Sequence, residues 1–374
     1  MGLGIGVIAG GEKTLLRRGL LWLALAGMCL LCAGVLRFLC GTAAGDGVRH
    51  FAAALSGLLS RCFAFSRRPV GEWLLVLVVP GIPVGLIFAA IRGGKRCFAL
   101  WLCRAVALCC AIFLLFLAAF GVQYTGPDLV ESLALPVGGY TMEQMTRTLD
   151  TLAREINIVA PVVPRDEAGN CAFGSFESQA QAVMEAYGRI GSRIPVLEAV
   201  SPVAPKETLL LSVPMSYWGI TGFFFPWTGE CVVSGNNPVL QQPFTIAHES
   251  AHSRRVGNED EANFAAFLAC VESRDVRLRY SGLHHAWLYV WNACYRSDPE
   301  LAMQYREMLC AEARFDLRAV TMHWDRYEGW LEDLGTWVND TYIKGTGQPE
   351  GVAAYSKAAD LVIAYMHSEM NIFV

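Results

Sequence analysis

Three stretches nearly free of charge, at about 19–36, 73–91 and 105–121, set the terms on which this 374-residue chain can fold. Each has about the length that carries a helix across the hydrocarbon core of a bilayer. No comparable run follows residue 122, and charge divides at the same point. Residues 1–122 carry 12 Lys and Arg against 3 Asp and Glu, whereas residues 123–374 carry 18 against 31. The pattern predicts a membrane anchor with three transmembrane helices over 1–122, followed by a water-facing domain over 123–374. The overall hydrophobic content of 54% is high for a soluble protein and agrees with that division.

Basic residues in short loops beside membrane helices tend to stay cytoplasmic. Lys13, Arg17 and Arg18 precede the first span, Arg92, Lys95 and Arg96 follow the second, and residues 123–131 after the third have no basic residue. An inside N-terminus and an extracytoplasmic C-terminal domain are therefore expected. The loop between the first two spans opposes this, because it carries Arg37, Arg49, Arg61, Arg67 and Arg68. Its stretch from Phe51 to Phe65 reads as an amphipathic helix lying in the interface. A cleaved signal peptide is the rival reading of the first span, but the apolar run is longer than a usual signal core.

Eight of the 13 cysteines fall in the membrane half, where a thiol is a small apolar group. The other five, Cys171, Cys231, Cys270, Cys294 and Cys310, show no paired short spacing, so neither a disulfide framework nor a thiolate zinc site is indicated.

In the second half, Gly126-Pro127 and Leu135-Pro136 lead to a helix starting at Thr141, with Gln144 in the capping-box position and Met142, Met145, Leu149, Leu152 and Ile156 on one face. A second helix is expected over about 177–189. Aromatic and β-branched residues then predict short strands near 208–213, 218–225 and 230–234. From Gln242 onward the periodicity is helical, with Pro243 in a first turn, Gly257 as a C-cap and Asp298-Pro299 opening another helix. The expected fold class is α+β: a mostly helical domain with a small antiparallel or mixed sheet. No repeat or nucleotide-binding glycine loop is present, and no nucleic-acid partner is expected.

The run His248-Glu249-Ser250-Ala251-His252 carries the chemistry. Two histidines four apart lie one helical turn above each other and can aim two imidazole nitrogens at one ion. Glu249, beside the first, can reach a water on that ion without ligating it, which is where a general base belongs. Zinc suits neutral imidazole and carboxylate with one position left for water. The third ligand is sought in Gly257-Asn258-Glu259-Asp260-Glu261-Ala262-Asn263, where a turn at Gly257 would fold a helix over about 259–271 back on the first. Glu259 is the first choice and Glu261 the runner-up. Asn263 shares the face of Glu259 and can orient an imidazole by a hydrogen bond. The charges in Ser253-Arg254-Arg255 and the acidic cluster place the site in water rather than lipid.

His284 and His285 lie in an aromatic helix. Core packing is the favoured reading for them, and transition-state stabilisation the alternative. Tyr342, in a polar stretch between helices, is a candidate oxyanion donor beside the plainer reading of a packed loop tyrosine. The strand around 229–234 is a candidate edge for an extended substrate, or an ordinary edge strand.

These residues resemble a known family, the bacterial membrane proteins grouped as domain of unknown function 3810, which look like gluzincin-type zinc metallopeptidases. The resemblance is carried by Phe225-Pro226-Trp227-Thr228-Gly229-Glu230, by Pro243-Phe244-Thr245-Ile246-Ala247 with the His248–His252 run, and by Glu259-Asp260-Glu261-Ala262-Asn263-Phe264. It continues in Asn339-Asp340-Thr341-Tyr342-Ile343-Lys344 and Gly351-Val352-Ala353-Ala354-Tyr355. It implies Glu259 as third ligand with Asn263 behind it, and it supplies no substrate. The expectation is a multi-pass bacterial membrane protein that hydrolyses an extracytoplasmic peptide or protein with Zn2+. A non-catalytic metal-binding sensor or scaffold and a zinc amidase acting on cell-wall material are the alternatives.

Overall fold

The computed structural model describes residues 3–126, 129–198, 203–345, 357–368 and 371–373. The resemblance block 351–355 and Pro127 lie outside them. Helix α1 (Leu3–Cys40) is followed by α2 (Gly45–Cys62) and α3 (Val70–Ala119), and α1 packs along α3. Among the described residues, two helices, Thr14–Cys40 within α1 and Val70–Ala119, are long and apolar enough to cross a membrane. The second and third apolar runs form the two helical segments of α3, which meet at a non-helical Gly94. Gly94 has φ 62°, a conformation costly for any residue with a Cβ. The chain folds back there, because a Cβ on Gly85 would fall 2.2 Å from the Trp101 ring. Hairpin α3 therefore has two legs, with residues 92–96 at its tip.

The region between α1 and α3 is tied to the C-terminal half. Ala52 on α2 packs with Cys40 and Val122, so α2 buries one face against protein, while Phe51 and Leu58 of the expected amphipathic stretch are exposed. Arg49 donates to the carbonyl of Thr125, and Arg68 pairs with Glu207 at 2.8 Å. Two of the basic residues that opposed the expected orientation thus bond to the C-terminal half.

Short helix α4 (Leu129–Ser132) leads to α5 (Met142–Val159) and α6 (Phe176–Gly191). Thr141 and Gln144 form the expected capping box. Met145, Leu149, Leu152 and Ile156 are buried as the periodicity predicts, whereas Met142 is exposed. Strand β1 (Lys206–Thr208), helix α7 (Ser212–Tyr217), and strands β2 (Gly222–Phe225) and β3 (Glu230–Ser234) follow. The first expected strand is cut short: after Thr208 the Leu211 amide donates to Glu72 of α3, and Pro214 sits in the first turn of α7, where its missing N–H costs nothing. The sheet is mixed, in the order β1-β3-β2, with β1 parallel and β2 antiparallel to β3. Residues 230–234 therefore form the central strand. The edge nearest the histidines is β2.

The remaining helices are α8 (Gln242–His252), α9 (Glu259–Val271), α10 (Val276–Ser297), α11 (Pro299–Glu307), α12 (Ala311–Trp324), α13 (Trp330–Gly345) and α14 (Lys357–Met366). The core lies where α8, α9, α10, α5 and α14 meet, around Phe264, Phe267, Trp287 and Tyr365. Each such fully buried large apolar side chain contributes roughly 2 kcal/mol. Helix α9 is buried continuously from Glu261 to Val271, which fixes its first turn firmly against α8. Tyr342, expected between helices, lies inside α13. The polar stretch stays helical because Thr341 donates to the Trp337 carbonyl and Lys344 pairs with Asp340 one turn away.

Candidate metal centre

Pro243 opens α8, and an apolar run buries that helix so that His248 and His252 share one face. The helix does not end on Gly257. Arg255 takes the left-handed position at φ 73°, and the Val256 amide donates back to the Ala251 carbonyl. That turn aims the Val256 carbonyl at His252 Nδ1, 2.8 Å away. Gly257 has a different reason to be glycine, since a Cβ there would lie 2.9 Å from the Tyr124 backbone nitrogen. Helix α9 then begins with Glu259, where a carboxylate also suits the positive end of the helix.

The structure brings three of the expected residues together. Ligand atoms of His248, His252 and Glu259 all lie within 4.8 Å of one another. His248 Nε2 is 3.2 Å from one Glu259 oxygen and His252 Nε2 is 3.8 Å from the other. Behind them, His248 Nδ1 meets Asn263 Oδ1 at 2.9 Å. Both Nδ1 atoms therefore face acceptors and carry the hydrogen, which leaves both Nε2 lone pairs directed at the shared point. The runner-up is elsewhere: Glu261 accepts from the Val130 amide at 3.1 Å, pinning α4 to α9.

Glu249 is buried beside this corner, and its Oε2 has no hydrogen-bond partner among the described residues. Room for it comes from Gly222 on β2, where a Cβ would lie 2.7 Å from Glu249 Oε1. Counting the protein's own groups, burial pushes the Glu249 carboxyl up to about 8; the charge of His248 opposes this and that of Glu259 adds to it. Burial also lowers His252, whereas at His248 burial is outweighed by Glu259, Glu249 and Asn263, which raise that imidazole; burial of Glu259 is in turn overridden by the two imidazoles, which hold that carboxylate below its usual range. A divalent cation requires neutral imidazole and ionised carboxylate, so on binding it would displace the proton that the acidic neighbours favour on His248. The donor set fits zinc: two nitrogens, one oxygen, and a buried unsatisfied carboxylate oxygen beside them.

The corner opens on a cleft of about 1570 Å³. Across it, Tyr342 Oη lies 2.8 Å from Tyr124 Oη. Burial holds both phenols protonated, the Tyr342 pKa rising to about 12. One hydroxyl donates to the other, so the pair keeps a hydrogen for a further acceptor. Nothing in the sequence marked Tyr124 beyond its place just after the third apolar run. His285 also lines the cleft, stacked on Phe244 at 3.9 Å between ring centroids. Burial, with His284 beside it, holds its pKa down to about 3, and its Nδ1 faces the Ser281 carbonyl at 2.9 Å. Its Nε2 is therefore an acceptor, ill suited to the transition-state stabilisation considered for it. His284 is fully enclosed, its pKa lowered to about 4 by burial.

The block from Phe225 to Glu230 proves to be a joint. Glu230, wholly buried, accepts from the Val70 and Gly71 amides at 3.0 and 2.8 Å and pairs with Lys206 at 2.7 Å. It caps α3, whose preceding Pro69 has no side chain able to do so. Trp227 Nε1 donates to the Ile112 carbonyl in the second leg. These bonds fix the hairpin relative to the histidines.

Fold and site together define a mostly helical protein with a small mixed sheet, an N-terminal apolar helix and a His-His-Glu corner able to hold a metal ion. The chain belongs to the family described as protein of unknown function (DUF3810), whose model matches residues 48–363. That match begins after α1 and takes in the hairpin, the sheet and the corner. No curated protein and no solved structure matches the chain.

Proposed function

We propose that this protein is a membrane-anchored zinc metallopeptidase of gluzincin type, with its site on the extracytoplasmic side of a bacterial membrane. The observation that carries the reading is the convergence of His248 Nε2, His252 Nε2 and the Glu259 carboxylate beside the unpartnered oxygen of Glu249. Zinc held by those three ligands would supply a Lewis acid and an acidified water. Glu249 takes a proton from the attacking water at Oε2, the buried oxygen left without a partner, and delivers it to the leaving nitrogen. The Tyr124–Tyr342 pair donates an O–H toward the carbonyl oxygen as negative charge grows there. Edge strand β2, which lines the cleft, offers backbone groups to an extended peptide.

The proposed orientation follows from charge. Arg92, Lys95 and Arg96 surround the hairpin tip, while the histidines lie near its other end, where Phe120 packs edge-on against His252 at 5.6 Å. Incubating the purified protein with a peptide library tests the reading. Metal-dependent cleavage that disappears in Glu249→Gln is expected; cleavage unchanged by that substitution would refute the assignment of the base.

A further inference from the structure

The cleft runs on past the metal corner, and its far wall is the membrane hairpin. Val76 and Val79 of the first leg and Ile112 and Phe113 of the second line the same cavity as His248 and Glu249. Val79 is 65% exposed and Phe113 45%, so side chains at the level of the spanning helices face this space. The rim continues the pattern. Helix α13 turns Gly335, Thr336, Asn339 and Tyr342 to the cleft, while Trp330, Leu334, Trp337 and Val338 are exposed. Before and within α7, Leu209, Leu210 and Val213 are exposed too. Apolar patches of this extent are unfavourable in water, and tryptophans beside spanning helices settle at the membrane interface. This rim would lie in the bilayer surface, with the apolar wall of the cleft open sideways to the hydrocarbon.

We propose that the substrate is a peptide tethered to the bilayer by a long apolar anchor, which lies against the Val76–Val79 and Ile112–Phe113 wall while the adjoining polar backbone reaches the metal corner. An anchored peptide reaches that open side by lateral diffusion with its anchor still in hydrocarbon, whereas a soluble peptide would have to bring polar backbone against the apolar wall without partners for it. The anchor has two chemical sources, an acyl chain or an apolar helix. The cleavage of the peptide rests on the hydrolytic reading above; the seat of the anchor does not.

The test uses the full chain in vesicles of phosphatidylethanolamine and phosphatidylglycerol, with a benzophenone amino acid at Val79 or, as control, at Leu31 on the exposed face of α1. Phe113 serves as a second wall position should the Val79 replacement fail to fold. The probes are fluorescent decapeptide mixtures that are unmodified, N-palmitoylated, or fused to an apolar helix of about 20 residues. An anchored probe should be captured from the wall at least about tenfold more than from Leu31, a preference of about 1.4 kcal/mol, and unlabelled anchored peptide should compete it away. The better-captured probe identifies the source of the anchor. Equal capture at wall and control positions, or capture of unmodified peptides as strong as that of anchored ones, would overturn the proposal. Capture should persist in His248→Ala. Capture by the wild type without cleavage of any probe would refute the hydrolytic reading and leave the anchor seat standing.

Discussion

The metal corner and the hairpin wall face each other across one cleft, yet they are held in opposite ways. In the corner every ring is fixed by a polar partner of its own: Asn263 behind His248, the Val256 carbonyl behind His252, and Glu259 in front of both. The wall is apolar along its length and is positioned by few polar contacts: Glu230 caps the first leg of α3 and pairs with Lys206, and Trp227 bonds the Ile112 carbonyl of the second. Losing one polar contact should detune the corner locally, whereas losing Glu230 should loosen the whole first leg of the wall.

That contrast can be broken at several strengths. Glu249→Gln should lower kcat by about 10² to 10⁴ while zinc content stays at the wild-type level, measured by turnover of a cleaved peptide beside elemental analysis. Glu230→Ala leaves Lys206 buried and unpaired and should cost about 3–5 kcal/mol in the transition that frees the hairpin, followed by denaturant unfolding of the detergent-solubilised chain. Little effect would show that the wall has other supports. In chelated protein the raised pKa of Glu249 makes a stability contribution that is fully present below the unfolded value of 4.5 and lost as pH rises through about 8. Glu249→Gln should therefore be the more stable protein at pH 9, with the difference vanishing below pH 4.5, and a thermal melt series reads this directly. Tyr342→Phe should reduce kcat by about 10²-fold if its hydroxyl is the donor, with KM little changed. Asn263→Ala should weaken zinc binding by about 10 to 100-fold without unfolding the core, as competition with a chelator would measure.

The corner was legible in the chain because it is local. Residues 248–263 hold all three candidate ligands and Asn263 behind His248, and helical spacing with one turn suffices to gather them. Even so, the choice between Glu259 and Glu261 depended on the rotation of α9, which burial of Phe264, Phe267 and Leu268 settles in three dimensions. The cleft had no such signature. Its walls come from residues 75–80, 109–124, 211–227 and 335–345, and nothing local to any of these segments points to the others. Tyr124 and Tyr342 meet across 218 positions, so their pairing is invisible to periodicity. The β-rich composition near residue 210 misled for a related reason: Glu72, more than 130 positions earlier, captures the Leu211 amide and ends the strand. Glu230 stood in a block that carries the family resemblance, but its capping role had no local signature, because the amides it accepts from open α3, about 160 positions earlier.

Metal content tests the central claim most directly. The full chain, purified in detergent without chelator and compared with His248→Ala, should retain close to one zinc per protein, and the variant should retain almost none while keeping the helical circular dichroism of the wild type. A wild-type protein that holds no zinc after loading and dialysis, or a His248→Ala protein that holds as much, would contradict the account.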